Sequence, residues 1–226
     1  MMTTAIIPAA GTGSRSGLSQ PKQFMKFGGR ELIVWTLERF QNCDEITDIV
    51  LATSKESIGF LGELADKYGI TKISGIVEGG AQRQDSVYRA LSSLPSSYEG
   101  LIAVHDAARP LIPPDVLSAG IRFAAEKGSA LFALKAKDTL IQKGPSGIGY
   151  LNRDNVYQVQ TPQIFRYKEL KDSFELAYKT GFYGTDESML MQNAGYSFEI
   201  FEGSVFSFKV TGPDDVELFR LLSSAD

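Results

Sequence analysis

A chain of 226 residues, 43% hydrophobic and 22% charged, has ordinary globular composition and enough length for a substantial core. Its 23 Lys and Arg against 27 Asp and Glu leave a formal charge of −4, which argues against nucleic acid as the main partner but not against a small anion met by local positive charge. The lone cysteine, Cys43, excludes an internal disulfide and a cysteine-rich metal site, and no stretch approaches the roughly 18 apolar residues of a membrane span.

In chain order, the apolar run Ala5–Pro8 reads as a first strand. The run from Ala5 to Ala10 is too short for a signal-peptide core and has no basic region before it, so an intracellular protein is expected. Ile33, Leu37 and Phe40 share one helical face. Ile46–Ala52 reads as a second strand and Ile73–Val77 as a third. Val87, Ala90, Leu91 and Leu94 mark the next helix, and Leu101–His105 a fourth strand. Pro113 and Pro114 open a helix where a missing N–H costs little, and Val116, Gly120 and Ile121 continue its apolar side. Ala130–Leu134 is a fifth strand.

The rhythm then breaks. Lys137–Gln142 and Ile148–Arg153, about the turn Lys143-Gly144-Pro145-Ser146-Gly147, predict an inserted hairpin, either a surface flap or an arm that embraces a second subunit. Leu170, Phe174 and Tyr178 mark a further helix. The last helix starts at Gly212-Pro213-Asp214-Asp215 and is predicted to bury Leu218, Leu221 and Leu222. Strands apolar on both faces, alternating with helices, predict an α/β chain with a twisted, mostly parallel sheet, built as one domain over residues 1–226 with its arm at about 137–155.

The stretch PAAGTGSRSGLSQPKQF after the first strand has the chemistry of an anion site. Gly11 and Gly13 let bare backbone approach a ligand, and exposed amides in such a loop form a concave anion nest. A dinucleotide fingerprint would need glycine where Ser16 stands, and a Walker-type loop would need Gly-Lys where Ser16-Gly17 stand, so both readings fail. What remains is GxGxR followed by PKQ. Arg15 can fork onto phosphate oxygens, and Lys22, stiffened by Pro21, supplies a point charge.

Further pieces follow the other strands. EGGAQRQDSV carries two glycines and then Asp85 and Ser86 at a helix start. VHDAARP sets Asp106 and Arg109 just past the fourth strand, where the ligands of open α/β sheets bind. QVQTPQIF carries Thr161, GTDES carries Thr185, and FSFKVTGPDD carries Lys209 and Thr211. The alternation of Phe206, Phe208 and Val210 predicts an extended segment with Lys209 on the opposite face.

Together, PAAGxGxR…PKQ, GGxxRQDSV, HDAARP, QTPQ, TD and K-x-T before PDD resemble the 2-C-methyl-D-erythritol 4-phosphate cytidylyltransferase family, in order and over nearly the whole chain. The resemblance implies a three-layer, nucleotide-diphospho-sugar-transferase-like (Rossmann-like) fold. It implies transfer of the cytidylyl group of CTP to a polyol phosphate in non-mevalonate isoprenoid synthesis, with Mg²⁺ as cofactor. By that likeness Ala9, Ala10 and Gly11 would contact ribose, base or first phosphate, Gly13 and Arg15 the triphosphate, and Lys22 would complete the clamp. Gly80, Ala81 and Ser86 would help read cytosine, and Ala107 would pack near the sugar. Asp106 would lie by Mg²⁺ and the acceptor, and Arg109, Thr161, Thr185, Lys209 and Thr211 would line the acceptor pocket, with Arg15, Lys22 and Lys209 carrying catalysis.

The hairpin becomes a homodimer arm in this reading, lending Thr139 and Arg153 to the partner's site. No nucleic acid or membrane partner is implied. The compartment is the cytoplasm, or a plastid stroma if a transit peptide has been removed. His105 is expected to be structural, because a phosphate monoester with second pKa about 6 is already largely ionised at neutral pH and needs no base. The chain departs from relatives at Ser16 and at Ser207-Phe208, where many have Met and Asn-Ile. A ribitol 5-phosphate cytidylyltransferase shares most of the CTP motifs and is the nearest alternative. A glycosyltransferase would want an Asp-x-Asp, which is missing, and a nucleotide-sensing module would not need Lys209 and Thr211.

Overall fold

The structure, a computed structural model, describes residues 1–11 and 21–223. Among these, seven strands form one sheet. Its four central and adjoining members are β1 (Thr3–Pro8), β4 (Asp48–Thr53), β5 (Ile73–Glu78) and β6 (Leu101–Val104), and the rest are β7 (Ser129–Lys135), β10 (Tyr157–Arg166) and β11 (Ile200–Glu202). The order across the sheet is β11-β7-β10-β6-β1-β4-β5. Two short pairs lie outside it: β2 (Lys26–Phe27) with β3 (Arg30–Glu31), and β8 (Leu140–Gly144) with β9 (Gly147–Leu151).

Alternation along the buried strands sorts side chains into two cores. Ile7 and Leu51 pack with Ile33 and Leu37 of α1 (Leu32–Gln41), Leu61 and Leu64 of α2 (Ile58–Tyr68), and Leu117 and Ile121 of α4 (Pro114–Lys127). Ile6 and Val50 face the other way, onto Val87 and Leu91 of α3 (Arg83–Ser92), Leu170 and Phe174 of α5 (Tyr167–Thr180), and Leu190 of α6 (Glu187–Asn193). The result is helices, sheet, helices: the three-layer α/β architecture expected from near-continuous apolar strands.

The five strands read from the sequence all occur, within a residue or two of their predicted ends. β10 is an addition to them, and it is the antiparallel member, running against both β6 and β7. Its ladder with β7 shifts register between Val159 and Gln163, which frees Gln160 and Thr161 from regular pairing. Because β1, β4, β5 and β6 run parallel, their carboxyl ends deliver residues 9–11, 79–82 and 105–110 to one edge. The inserted hairpin is present as β8–β9, with Gly144 opposite Gly147 and Pro145-Ser146 at the tip.

Two expectations are corrected. The last helix, α7 (Pro213–Ser223), does not bury Leu218 or Leu221, which are exposed. Phe219 takes the inward position instead, edge-on to Phe27 at 4.8 Å and to Trp35 at 5.7 Å, and these aromatic contacts set the rotation of the helix. The segment from Phe206 to Val210 is not a strand: a short 3₁₀ turn covers Val205–Ser207, leaving Phe206 exposed and Val210 buried.

Gly120 sits on α4 where an added Cβ would come 2.0 Å from the tip of the fully buried Phe132 ring. Helix propensity favours alanine there by up to about 1 kcal/mol, but overpacking a rigid core costs about 1–3 kcal/mol. Gly120→Ala is therefore expected to lower the urea midpoint of unfolding, and a raised midpoint would show that Phe132 yields freely.

Candidate active site

The loop after β1 is braced from below. Ala9 donates its N–H to the Ala52 carbonyl at 2.7 Å, and the buried Gln23 amide donates to the carbonyls of Ala9 (2.7 Å) and Gly11 (2.9 Å). Gln23 belongs to the PKQ piece, where only Pro21 and Lys22 were given roles. It closes the neck of the glycine loop. Gly13, Arg15 and Ser16 lie outside the described residues.

The facing wall is backbone pressed against a helix start. Gln82 caps α3 and shares a capping box with Asp85, whose carboxylate accepts the Gln82 N–H at 2.9 Å. Ser86 accepts the Gly80 N–H and donates to the Gln82 carbonyl, both at 3.1 Å. A Cβ on Gly79 would stand 2.6 Å from Ala10 and one on Gly80 2.2 Å from the Asp85 Cβ, so only glycine lets these segments touch.

Between these walls opens a cavity of about 500 Å³, lined by Ala9, Ala10, Gly11 and Lys22 on one side and by Gly80, Ala81, Arg83 and Ser86 on the other. Asp106, Ala107, Lys209 and Thr211 form its floor and far rim. The volume suits a nucleotide-sized ligand.

The floor is organised by charge. Asp106, 7% exposed, receives Arg83 Nε on Oδ1 at 3.1 Å, and on Oδ2 it receives Lys209 Nζ at 2.9 Å and Arg109 Nε at 3.3 Å. Burial works to raise its carboxyl, but the charges of Arg83, Lys209 and Arg109 outweigh it and hold Asp106 well below the usual carboxylate range. Arg83 also forks onto the buried Glu187 at 2.6 and 3.0 Å. With Glu187 ionised, the five side chains sum to 3 − 2 = +1, a positive floor for an anionic ligand. Neither Arg83 nor Glu187 was assigned a role from sequence, although both stand inside the quoted pieces RQDSV and GTDES.

Behind the floor, hydrogen bonds fix the corner. The Asp106 N–H donates to Thr161 Oγ1 at 3.1 Å, and Thr161 in turn donates to His105 Nδ1 at 3.2 Å. His105 Nε2–H then donates to the Arg109 carbonyl at 3.1 Å, so one neutral tautomer satisfies the whole chain. Arg109 is held further by the Ser207 carbonyl at 2.7 Å, and Ser207 Oγ reaches the Thr161 carbonyl at 3.3 Å. The Ser207-Phe208 departure thus leaves the packing behind Lys209 built.

Thr161 is buried and its hydroxyl is committed to this corner rather than to the cavity lining. Thr211 stands at the rim, its N–H on Asp215 at 2.9 Å. Thr185 is exposed and packs its hydroxyl on the Met189 sulfur. Thr139 and Arg153 lie at the exposed base of the hairpin, with Arg153 donating to the Lys137 carbonyl at 2.9 Å, outside the cavity lining of this chain.

A metal has a narrow place here. Among the described residues no three His, Cys, Asp or Glu side chains gather to hold one, and Asp106 is the single acid among those lining the cavity. This donor set fits a Mg²⁺ carried mainly by ligand phosphates with one protein carboxylate in support, not a dedicated cage.

A mostly parallel α/β sheet whose strand ends converge on a glycine-walled, cation-floored cavity defines the class as nucleotidyltransferase-like. The comparisons narrow it. The model of the family IspD, 2-C-methyl-D-erythritol 4-phosphate cytidylyltransferase, matches residues 3–222, and the chain belongs to that family. The relative of that name from Clostridium botulinum (strain Okra) is 38% identical, covering 95% of this chain and 94% of its own; the one from Halalkalibacterium halodurans is 36% identical over 96% and 94%. Among solved structures, the same enzyme from Thermus thermophilus superposes with a TM-score of 0.80 at 30% identity, covering 99% of this chain and all of its own. A 4-diphosphocytidyl-2C-methyl-D-erythritol synthase from Anaerococcus prevotii superposes at 0.86 with 25% identity over 99% and 96%.

His105, the chain's only histidine, is pulled by burial from an ordinary 6.5 down to about 4. Between those values the unfolded chain binds a proton that the folded chain refuses, so this contribution is complete above pH 6.5 and is lost as pH falls towards 4. It amounts to on the order of 3 kcal/mol. Urea unfolding at pH 7 and pH 5 is expected to show a drop in stability that shrinks in His105→Gln; an equal drop in both proteins would remove His105 as its source.

Proposed function

We propose that this protein transfers the cytidylyl group of CTP to the phosphate of 2-C-methyl-D-erythritol 4-phosphate, releasing pyrophosphate and supplying non-mevalonate isoprenoid synthesis. The observation that carries the reading is the floor of the cavity, where Lys209, Arg83 and Arg109 converge on Asp106 opposite the glycine loop and Lys22. An anion must meet a polyanion in such a reaction, and fixed cations around both are what lower that barrier.

An acceptor phosphate oxygen attacks the α-phosphorus of CTP, the bond from that phosphorus to the bridging oxygen breaks, and pyrophosphate leaves with the electron pair. The acceptor is mostly ionised at neutral pH, its second pKa being about 6, so no side chain has to take a proton. The neutral, enclosed His105 agrees with that. In this reading the amides of Ala10 and Gly11, with Gly13 and Arg15 beyond the described residues, hold the triphosphate, and Lys22 and Lys209 neutralise charge on the phosphates. Gly80, Ala81 and Ser86 form the base wall with Ala9, and Ala107 packs by the sugar. Asp106 and Arg109 meet the acceptor, with Thr185 and Thr211 at its edge and Thr161 acting through the corner it holds.

Mg²⁺ is proposed to arrive with the nucleotide, whose phosphates would hold it and whose charge it would neutralise, with Asp106 lending negative charge nearby. We read residues 1–226 as one catalytic domain acting in the cytoplasm. The hairpin is read as a dimer arm, since Ile141, Ile148 and Tyr150 stand 55%, 65% and 79% exposed along it, an apolar surface that suits a second copy. Thr139 and Arg153 would then serve the partner's site.

Incubation with CTP, Mg²⁺ and methylerythritol phosphate is expected to give 4-diphosphocytidyl-2-C-methyl-D-erythritol by mass, and faster turnover of ribitol 5-phosphate would overturn the choice of acceptor. Lys22→Ala and Lys209→Ala are each expected to lower turnover by on the order of 10²-fold with folding kept. Normal pyrophosphate release from both would dismiss their roles. Co-expressed Lys22→Ala and Arg153→Ala chains are expected to recover about a quarter of wild-type turnover, because about half of randomly paired dimers are mixed and one of the two sites in each is intact. No recovery would put Arg153 at its own subunit's site, and undiminished turnover by Arg153→Ala alone would put it at none.

A further inference from the structure

Resting on that reading, we propose that Glu187 is a positioning residue: by occupying both terminal nitrogens of Arg83 it keeps open on Asp106 the acceptor site that binds a hydroxyl of the polyol phosphate.

The geometry is specific. Arg83 turns its fork onto Glu187, Nη1 to Oε1 at 2.6 Å and Nη2 to Oε2 at 3.0 Å, leaving only Nε for Asp106 Oδ1 at 3.1 Å. A carboxylate offers about four acceptor positions. Counting partners among the described residues, Lys209 and Arg109 take two positions on Asp106 at Oδ2 and Arg83 takes one at Oδ1, which leaves one position on Oδ1 beside the cavity. An arginine freed of Glu187 would turn its fork onto Asp106, because two parallel charge-assisted bonds to a carboxylate are preferred to one. That rotation fills the open position.

Glu187 is well placed to hold the fork. It is 1% exposed and opens α6, directly after Asp186, whose side chain caps that helix through Met189 N–H at 3.0 Å. Gln163 of β10 braces the same turn, donating to Asp186 at 3.1 Å and accepting the Ser188 N–H at 2.8 Å. Glu187 therefore stands on a turn tied to the sheet, and the charge pair crosses from the acceptor side of the site to the start of α3. Burial holds its carboxyl above the usual carboxylate range although Arg83 pulls it down, so the charge on Glu187 depends on Arg83 staying in place.

The test is titration calorimetry of methylerythritol phosphate and of CTP against the wild-type chain, Glu187→Gln, Arg83→Met and the double variant, alongside steady-state kinetics. Glu187→Gln is expected to weaken methylerythritol phosphate about tenfold, in dissociation constant and in KM, while CTP affinity stays within about twofold. Glutamine keeps the side chain's shape, so a purely structural role would not separate the two ligands. Arg83→Met and the double variant are expected to bind methylerythritol phosphate alike, because Glu187 acts only through Arg83. That comparison stands even where Glu187→Gln alone folds poorly. Equal acceptor affinity in wild type and Glu187→Gln, or a difference above about threefold between Arg83→Met and the double variant, overturns the proposal while leaving the cytidylyltransferase reading intact. A wild-type chain that neither binds methylerythritol phosphate nor turns it over with CTP overturns both.

Discussion

A buried carboxylate surrounded by cations is costly to desolvate and stays charged only if its partners are fixed in place. Asp106 meets that condition with three partners drawn from three parts of the chain: Arg83 from the start of α3, Arg109 from the loop after β6, and Lys209 from the approach to α7. Each arrives on a different element of the fold. The charge cluster thereby links elements far apart in sequence and sets the floor against which the glycine loop must sit. Losing Asp106 would leave Arg109 and Lys209 beside Arg83 with Glu187, already bound to Arg83, as the remaining counter-ion of the cluster, so the residue matters to the shape of the site as much as to its chemistry.

The corner behind Asp106 depends on a break in regular structure. β10 runs antiparallel into a parallel sheet and slips register between Val159 and Gln163. A regular ladder would have fixed the side chains there alternately on the two faces of the sheet. The slip instead lets Gln160 hold the Ser204 backbone at 2.9 and 3.1 Å, and lets Thr161 reach His105 and Asp106. The local departure from ideal sheet geometry is where the fold turns into a site.

Much of this was legible before any coordinates, for identifiable reasons. β1, β4, β6 and β7 are buried on both faces and, with the half-buried edge strand β5, announce themselves as short apolar runs; glycines and charges after them announce the loops. β10 hid because its sequence, YQVQTPQIFR, is polar in the half that departs from the ladder. α2 carries two glycines and α6 has only seven residues, so neither shows a long apolar period. In α7 four leucine and phenylalanine positions compete, and only packing against Trp35 and Phe27 decides that Phe219 turns inward. At the site, the residues that face a ligand carried the motif signal. Those that hold them, Gln23, Arg83 and Glu187, were visible as letters inside the motifs, but their roles depend on distances of up to 104 residues along the chain.

The wall formed by Gly79, Gly80 and Ser86 has a bearing on inhibition. An inhibitor that grips a protein by its side chains can be defeated by trimming one of them. Here the gripping surface is main chain and small groups, so there is nothing to trim. Resistance would have to come from added bulk, and bulk at either glycine runs into Ala10, Ser86 or Asp85. A competitor packed against that same backbone would leave the protein little room to escape without damaging itself.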